Sequence, residues 1–300
     1  MKTGELVKNI RTAKGIKAKT IYDDLLSRSM YYKYESGLVE TTADTFLHIL
    51  DRLNVGADEF MKLFGKFIKK DDHYRSCRND LKQAFAQGNL TEIKAIEKKI
   101  EKEYNASHLL RLHNLAVIAD AMKKTLGKTS ESTLSERKEI MHYLSRSHKW
   151  GYYEYSLFSD AIFMFDSSST EKLLQNHDWD TEAEVQDITL ENLKIKTLCN
   201  AILLFMKANK KEHVAYYYNL LNKIKVDSSN VSALSNKTFF EGLKIINDGD
   251  YEQGLKIISD TFSLYQKLGL DDLYRQHVAI LQELLSVNLQ KAKSRRRRKA

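Results

Sequence analysis

Apolar residues in the first 65 positions fall into short runs at helical spacing. In GELVKNIRTAK (4–14), Leu6, Val7 and Ile10 share one face, and Gly15 follows where helices commonly end on glycine. A second helix is expected from Ala18 to Leu25, with Ile21 and Leu25 facing in. Ser27 then stands at an N-cap position, its hydroxyl able to accept from amides of the next turn. The third helix, Arg28 to Ser36, is expected to stop at Gly37, which can take the left-handed conformation. A fourth opens near Thr41-Thr42 and carries Phe46, Leu47, Ile49, Leu50 and Leu53. A fifth opens at Ala57-Asp58-Glu59 and carries Phe60, Met61, Leu63 and Phe64.

From residue 66 to about 290 the pattern is helix after helix, with no run that reads as a strand. Polar breaks separate the helices at Gly88-Asn89, Gly127 to Ser132, His148 to Gly151, Asp166 to Ser169, Asn209-Lys210, Asp227 to Asn230, Asp248-Gly249-Asp250 and Gly269. Apolar stripes include Ile93, Ile96 and Ile100; Leu109, Leu112, Leu115 and Ile118; and Leu255, Ile258, Phe262 and Tyr265. QGNLTEIKAI (87–96), ANKKEHVAYY (208–217) and DGDYEQGLKI (248–257) each place a tight polar turn before an acidic residue and a helix. Tetratricopeptide-type hairpins share that turn grammar, and stacked hairpins build a superhelix with a concave inner face. The expected fold class is all-α. The expected divisions are a head at 1–65, a linker at 66–75, a helical-repeat body at 76–290 and a basic tail at 291–300.

Composition supports long helices: the 300 residues include no proline and only 12 glycines. No apolar run is long enough to span a bilayer, no signal peptide opens the chain, and two cysteines make no disulfide framework. A cytoplasmic protein with no membrane partner is expected. The net charge of +8 is uneven. Residues 1–70 hold 13 Lys/Arg against 9 Asp/Glu (+4), residues 71–290 hold 28 against 31 (−3), and residues 291–300 hold 7 against none (+7). Basic ends around a near-neutral body suit a polyanion-binding head.

The order helix, tight turn, helix and two packing helices is a helix-turn-helix plan. Tyr31 and Tyr34 are three apart and can anchor the third helix to the core, which leaves Arg28, Ser29, Tyr32 and Lys33 outward. Arg28 and Ser29 stand at the helix end that enters a major groove, where Arg can bond guanine in bidentate fashion and Lys33 can reach a base edge or phosphate. Tyr32 could stack on sugar or bond a phosphate. Lys17, Lys19 and Thr20 open the second helix and suit backbone contacts to double-stranded DNA. Arg11 is placed to pair with Glu35 and lock the first helix to the third. The ending YESG (34–37) resembles the lambda-repressor-like helix-turn-helix.

Two stretches carry a wider resemblance. LSRSMYYKYESGLVETTADTFLHILDRLNVGADEFM (26–61) and WGYYEYSLF (150–158) are similar to the recognition region and a mid-chain signature of the Rgg/GadR/MutR regulators. The resemblance implies a homodimeric transcription regulator, pairing through its repeats and controlled by a short hydrophobic peptide held in their concave face. Two features depart from that pattern: the tail KAKSRRRRKA, and Tyr22, where a small residue is usual and wider packing of the second and third helices would follow.

A peptide groove needs side-chain amides for the backbone and apolar walls for the side chains. Asn192, Lys196 and Asn200 form one stripe on a long helix expected over 182–208, with His113, Asn114 and Asn219 as further candidates. Tyr152, Tyr153, Tyr155 and Phe158 read as core and interface, and Cys77 and Cys199 as buried apolar residues. No His-Glu-x-x-His, Cys–His cluster, phosphate loop or nucleophile elbow is present, so no metal, cofactor or catalytic role is expected. The competing reading is a helical-repeat interaction scaffold, with a DNA-binding or vestigial head and no peptide ligand.

Overall fold

The computed structural model describes residues 1–67, 73–127, 133–147, 149–175, 177–179 and 187–297. All regular structure among them is helical, and the chain divides into two compact units, Met1–Ser76 and Cys77–Ala300.

The first unit holds α1 (Thr3–Ala13), α2 (Ala18–Tyr22), α3 (Arg28–Glu35), α4 (Ala43–Arg52) and α5 (Ala57–Phe67). Its core joins Leu6 and Val7 of α1, Ile21 and Tyr22 of α2, Tyr34 of α3, Ile49 and Leu50 of α4, and Phe60 of α5. Helix α2 is shorter than expected. It stops at Tyr22, and Asp24 takes a left-handed conformation with φ +64°. Leu25 still packs against the core, but from the turn. Of the apolar residues that α4 and α5 carry, Leu47 and Met61 are exposed. Helix α1 crosses α3 closely at Gly4, where a Cβ would lie 1.9 Å from the Tyr34 carbonyl oxygen.

The second unit holds α6 (His73–Ala86, its first residues still in the first unit), α7 (Leu90–Ser107), α8 (Leu110–Leu126), α9 (Leu134–Ser145), α10 (Tyr152–Ala161), α11 (Ser167–Leu174), α12 (Ile188–Lys207), α13 (Lys211–Lys223), α14 (Val231–Asp248), α15 (Tyr251–Leu268) and α16 (Asp271–Arg297). The pairs α7–α8, α12–α13 and α14–α15 are antiparallel hairpins, and α12 also packs on α10, α11, α14 and α16. Two of the three repeated turns use one device. Gly88 and Gly249 are left-handed, and Asn89 and Asp250 then cap α7 and α15 through side-chain oxygens. In the third, Asn209 supplies the left-handed residue itself and Lys210 makes no side-chain cap.

Two expectations need correction here. Leu109 and Leu255 are exposed rather than buried in the apolar stripes, because Leu109 sits outside α8 as its N-cap and Leu255, although three positions before Ile258, is left uncovered. The long helix begins at Ile188, not 182, because Asp187 is extended and its carboxylate accepts from the amides of Thr189 and Leu190. Helix α16 runs on to Arg297, into the stretch expected as a basic tail. The centre of the linker (68–72), the breaks at 128–132 and His148, and residues 298–300 lie outside the described residues.

Helices α14 and α15 meet backbone to backbone at two glycines. A Cβ on Gly242 would lie 2.9 Å from the Gly254 carbonyl oxygen, and one on Gly254 would lie 2.7 Å from that of Gly242. Neither carbonyl can retreat without opening the hairpin. Gly254→Ala is therefore expected to lower stability by about 1–3 kcal/mol through overpacking, read as a lower urea midpoint. Gly65→Ala is the control, because a Cβ there meets nothing within 4 Å. Equal midpoints for the two variants would contradict the close crossing.

The same end of the body buries His277. Its ring stacks on Phe239 at 4.0 Å, Nδ1 lies 2.9 Å from the Tyr265 hydroxyl, and Nε2 lies 3.2 Å from Asn236 Oδ1. Burial pushes its pKa down to about 4, so the imidazole is neutral and ties α14, α15 and α16 together.

Candidate nucleic-acid interface and a polar stripe on the long helix

Helix α3 is held at both ends and along one side. Ser27 caps it, its hydroxyl accepting from the Met30 amide at 3.4 Å, and Gly37 ends it with φ +69°. Glu35, buried, is the bracket. Arg11 donates to it through Nε at 2.6 Å and Nη2 at 2.9 Å, and the Tyr22 hydroxyl donates at 2.9 Å. Arg11 also donates to the Ile16 carbonyl at 2.9 Å. The bond to Glu35 raises the Arg11 pKa, so the charge is fixed. Tyr22 is thus accommodated with its hydroxyl on Glu35 and its ring on Tyr31.

A stack of side chains runs from this core to the surface. Tyr22 stacks on Tyr31 at 4.8 Å, Tyr31 on Tyr32 at 4.7 Å, and the Arg28 guanidinium lies over the Tyr32 ring at 6.0 Å. The Tyr32 hydroxyl is held below its ordinary pKa, first by the Tyr31 hydroxyl and then by Arg28. The stack accounts for the aromatic weight of the segment: one tyrosine is core, one is a spacer, and one steadies an exposed arginine. Arg28, Ser29, Tyr32 and Lys33 are all exposed, as are Lys17, Lys19 and Thr20 on and before α2. The arrangement presents cations and hydroxyls on a rigid helix, which is what groove reading and phosphate contact require.

Two other basic residues of the head serve the fold. Lys14 Nζ donates to the carbonyls of Leu53 and Asn54 at 2.9 Å each, capping the end of α4. Arg52 donates to the carbonyls of Ile21 and Asp23 at 3.1 and 2.6 Å and pairs with Asp24 at 2.8 Å, so it holds the turn before α3.

In the body, Asn192, Lys196 and Asn200 share one stripe of α12, with Lys196 exposed and the two asparagines half-buried. The other candidates stand on other helices, α8 and α13. His113 bonds Glu139 at 2.6 Å, between α8 and α9. Asn114 is 2 % exposed and donates to the Tyr153 hydroxyl at 2.9 Å, which makes it a packing residue between α8 and α10 and corrects its assignment to a groove. Asn219 is exposed on α13. Tyr155 and Phe158 are core, whereas Tyr152 is exposed.

Sequence reasoning missed the cluster around Asp160. Asp160 of α10 accepts from Arg78 Nε and, at 3.0 Å, from Nη2, and pairs with Lys82 at 2.7 Å. Among the described residues no group of three His, Cys, Asp or Glu could hold a metal ion, and no helix is long and apolar enough to cross a membrane.

Residues 93–279 match the family model for the C-terminal domain of the HTH-type transcriptional regulator Rgg. The chain is similar in structure to the Streptococcus dysgalactiae SHP pheromone receptor Rgg2, with TM-score 0.75 and 18% identity over 94% of this chain and 100% of that one. It is similar to a Listeria monocytogenes EGD-e protein assigned as a transcriptional regulator, with TM-score 0.79 and 20% identity over 95% and 97%. It is also similar to PrgX in a PrgX/cCF10 complex, with TM-score 0.77 and 14% identity over 95% and 92%. These likenesses establish a shared all-helical fold, and the family model covers well over half of the sequence. The chain belongs to the Rgg family of helix-turn-helix transcriptional regulators.

Proposed function

We propose that this regulator reads a specific duplex operator with α3, binds a short apolar peptide along the α12 stripe, and works as a homodimer in the cytoplasm without catalytic activity. The observation that carries the reading is the braced α3. A buried Arg11–Glu35–Tyr22 network fixes its orientation while Arg28, Ser29 and Lys33 face solvent at its N-terminal and outer side. Lys17, Lys19 and Thr20 supply phosphate contacts that set register but not sequence. The peptide part draws on relatives of the same fold, one named a pheromone receptor and one held in a complex with cCF10. The amides of Asn192 and Asn200 would hold the peptide backbone.

Selection of random duplex DNA on the full-length protein is expected to return one motif with two half-sites. Arg28→Ala and Lys33→Ala are each expected to lower operator affinity by about 1–3 kcal/mol, roughly fivefold to 150-fold, with helix content unchanged. Unaltered sequence preference in both variants would remove α3 as the reading helix. A peptide-controlled regulator also predicts that peptides from culture medium shift its DNA affinity.

A further inference from the structure

Three tyrosine rings lead from the core of the head to one exposed cation. Tyr22 is 1 % exposed, Tyr31 is half-buried and Tyr32 is 54 % exposed. The rings of Tyr22 and Tyr31 lie 4.8 Å apart and nearly parallel, at 5°, and those of Tyr31 and Tyr32 lie 4.7 Å apart at 28°. Adjacent residues on a helix normally point apart, so the second contact is a convergence of two side chains and restrains both. The root of the stack is fixed as well. The Tyr22 hydroxyl donates at 2.9 Å to Glu35, which Arg11 also holds.

The outer end of the stack carries Arg28, whose guanidinium lies over the Tyr32 ring, 6.0 Å from its centroid. Tyr32 stands four residues after Arg28, and helical side chains lean toward the N-terminus, so the ring meets the arginine at the first turn of α3. A ring contact engages the charge of a guanidinium and leaves its N–H fork for a bidentate acceptor. Lys17, Lys19 and Lys33 have no side-chain partner among the described residues, so Arg28 alone of these four cations is steadied in the free protein.

Preorganisation changes what an arginine contributes. A loose one gives up its rotamer freedom on binding and adapts to several acceptors. A held one has lost part of that freedom already and favours the acceptor that matches its position. In a major groove the bidentate acceptor is guanine, through O6 and N7. We infer that Tyr22, Tyr31 and Tyr32 form a positioning relay for Arg28, which sharpens its choice of guanine. The inference rests on the reading of duplex DNA by α3. It assigns Tyr32 to positioning, in place of the sugar or phosphate contact expected from the sequence. It also gives Tyr22, the departure from the family pattern, a part in recognition.

The test takes the operator recovered from random duplex DNA and measures binding of the full-length protein to it and to its single-pair substitutions by fluorescence anisotropy. The pair at which Arg28→Ala loses discrimination is the one this arginine reads. Tyr32→Ala is expected to lower discrimination at that pair by about two- to fivefold, the scale of an exposed cation–π contact, with the other pairs and the thermal midpoint unchanged. Tyr32→Phe keeps the π face and should keep the discrimination, whereas Tyr32→Leu keeps bulk without it and should behave as the alanine variant does. In an Arg28→Ala background, Tyr32→Ala should add nothing. Undiminished discrimination in Tyr32→Ala would overturn the relay while leaving reading by α3 intact. Equal loss at every pair, or a full Tyr32→Ala effect in the absence of Arg28, would place Tyr32 on the DNA itself and also remove the relay. Recovery of no motif, or unaltered discrimination in Arg28→Ala, would end the reading by α3 and the relay with it.

Discussion

Glu35→Ala is expected to destabilise the N-terminal unit by about 3–5 kcal/mol, the usual cost of removing one partner from a buried ion pair. The carboxylate accepts three hydrogen bonds, two from Arg11 and one from Tyr22. Its removal leaves a half-buried guanidinium and a buried phenol without an acceptor. Replacing both charged partners, as Arg11→Met with Glu35→Leu, is expected to cost less than Glu35→Ala alone, because no uncompensated charge remains. Both tryptophans, Trp150 and Trp179, lie in the second unit. Hydrogen exchange of the α1 and α3 amides is therefore the measurement, with tryptophan fluorescence reporting on the body. Protection in α3 that survives Glu35→Ala would show that the network is not what holds the helix. DNA affinity should fall in parallel, although Glu35 itself is buried away from the exposed face.

Trp150→Ala is expected to cost the second unit about 3–5 kcal/mol, in the range for deleting a buried large aromatic. Trp150 is only 6 % exposed. Its ring packs against Tyr155 at 5.5 Å, Phe158 at 5.6 Å and His177 at 4.6 Å, and its Nε1 donates to the Leu144 carbonyl at 3.2 Å. Alanine would leave a cavity among rigid rings that cannot collapse into it. Trp150→Phe keeps part of the volume and loses the hydrogen bond, so an intermediate cost is expected. The check is urea unfolding followed by far-ultraviolet circular dichroism. A midpoint for Trp150→Ala indistinguishable from the parent would show that this cluster is not core. The neighbouring residues extend the same role. Glu154 accepts from the Gly151 amide at 2.9 Å and from the Tyr143 hydroxyl at 3.0 Å, so the WGYYE stretch opens α10 and ties it to α9.

Local rules carried the head far. A serine cap, a left-handed glycine and a three-residue spacing of tyrosines are short-range signals, and α3 obeys all of them. The end of α2 was not legible, because Leu25 satisfies the apolar spacing equally well from a helix or from the turn that follows Tyr22. Leu109 and Leu255 show the same limit: spacing places a residue on a helix face but does not say whether a neighbour covers it. The Asp160 cluster depends on residues 82 positions apart, which periodicity cannot join. Its trace in the sequence was a single aspartate inside the apolar run SLFSDAIFMF, with Arg78 and Lys82 one helical turn apart on α6. The glycine crossing of α14 and α15 left a similar trace, two glycines inside helices where propensity disfavours them.

Cys77 and Cys199 are both free and both buried, and burial raises both thiol pKa values, that of Cys199 far more. The reactive thiolate is scarce in the closed protein, and no reagent reaches either sulfur without an opening of the helix that covers it. Alkylation under native conditions thus becomes a clock for opening events, one dial on α6 and one on α12. When reclosing outpaces the reagent, each rate measures the opening equilibrium of its own helix.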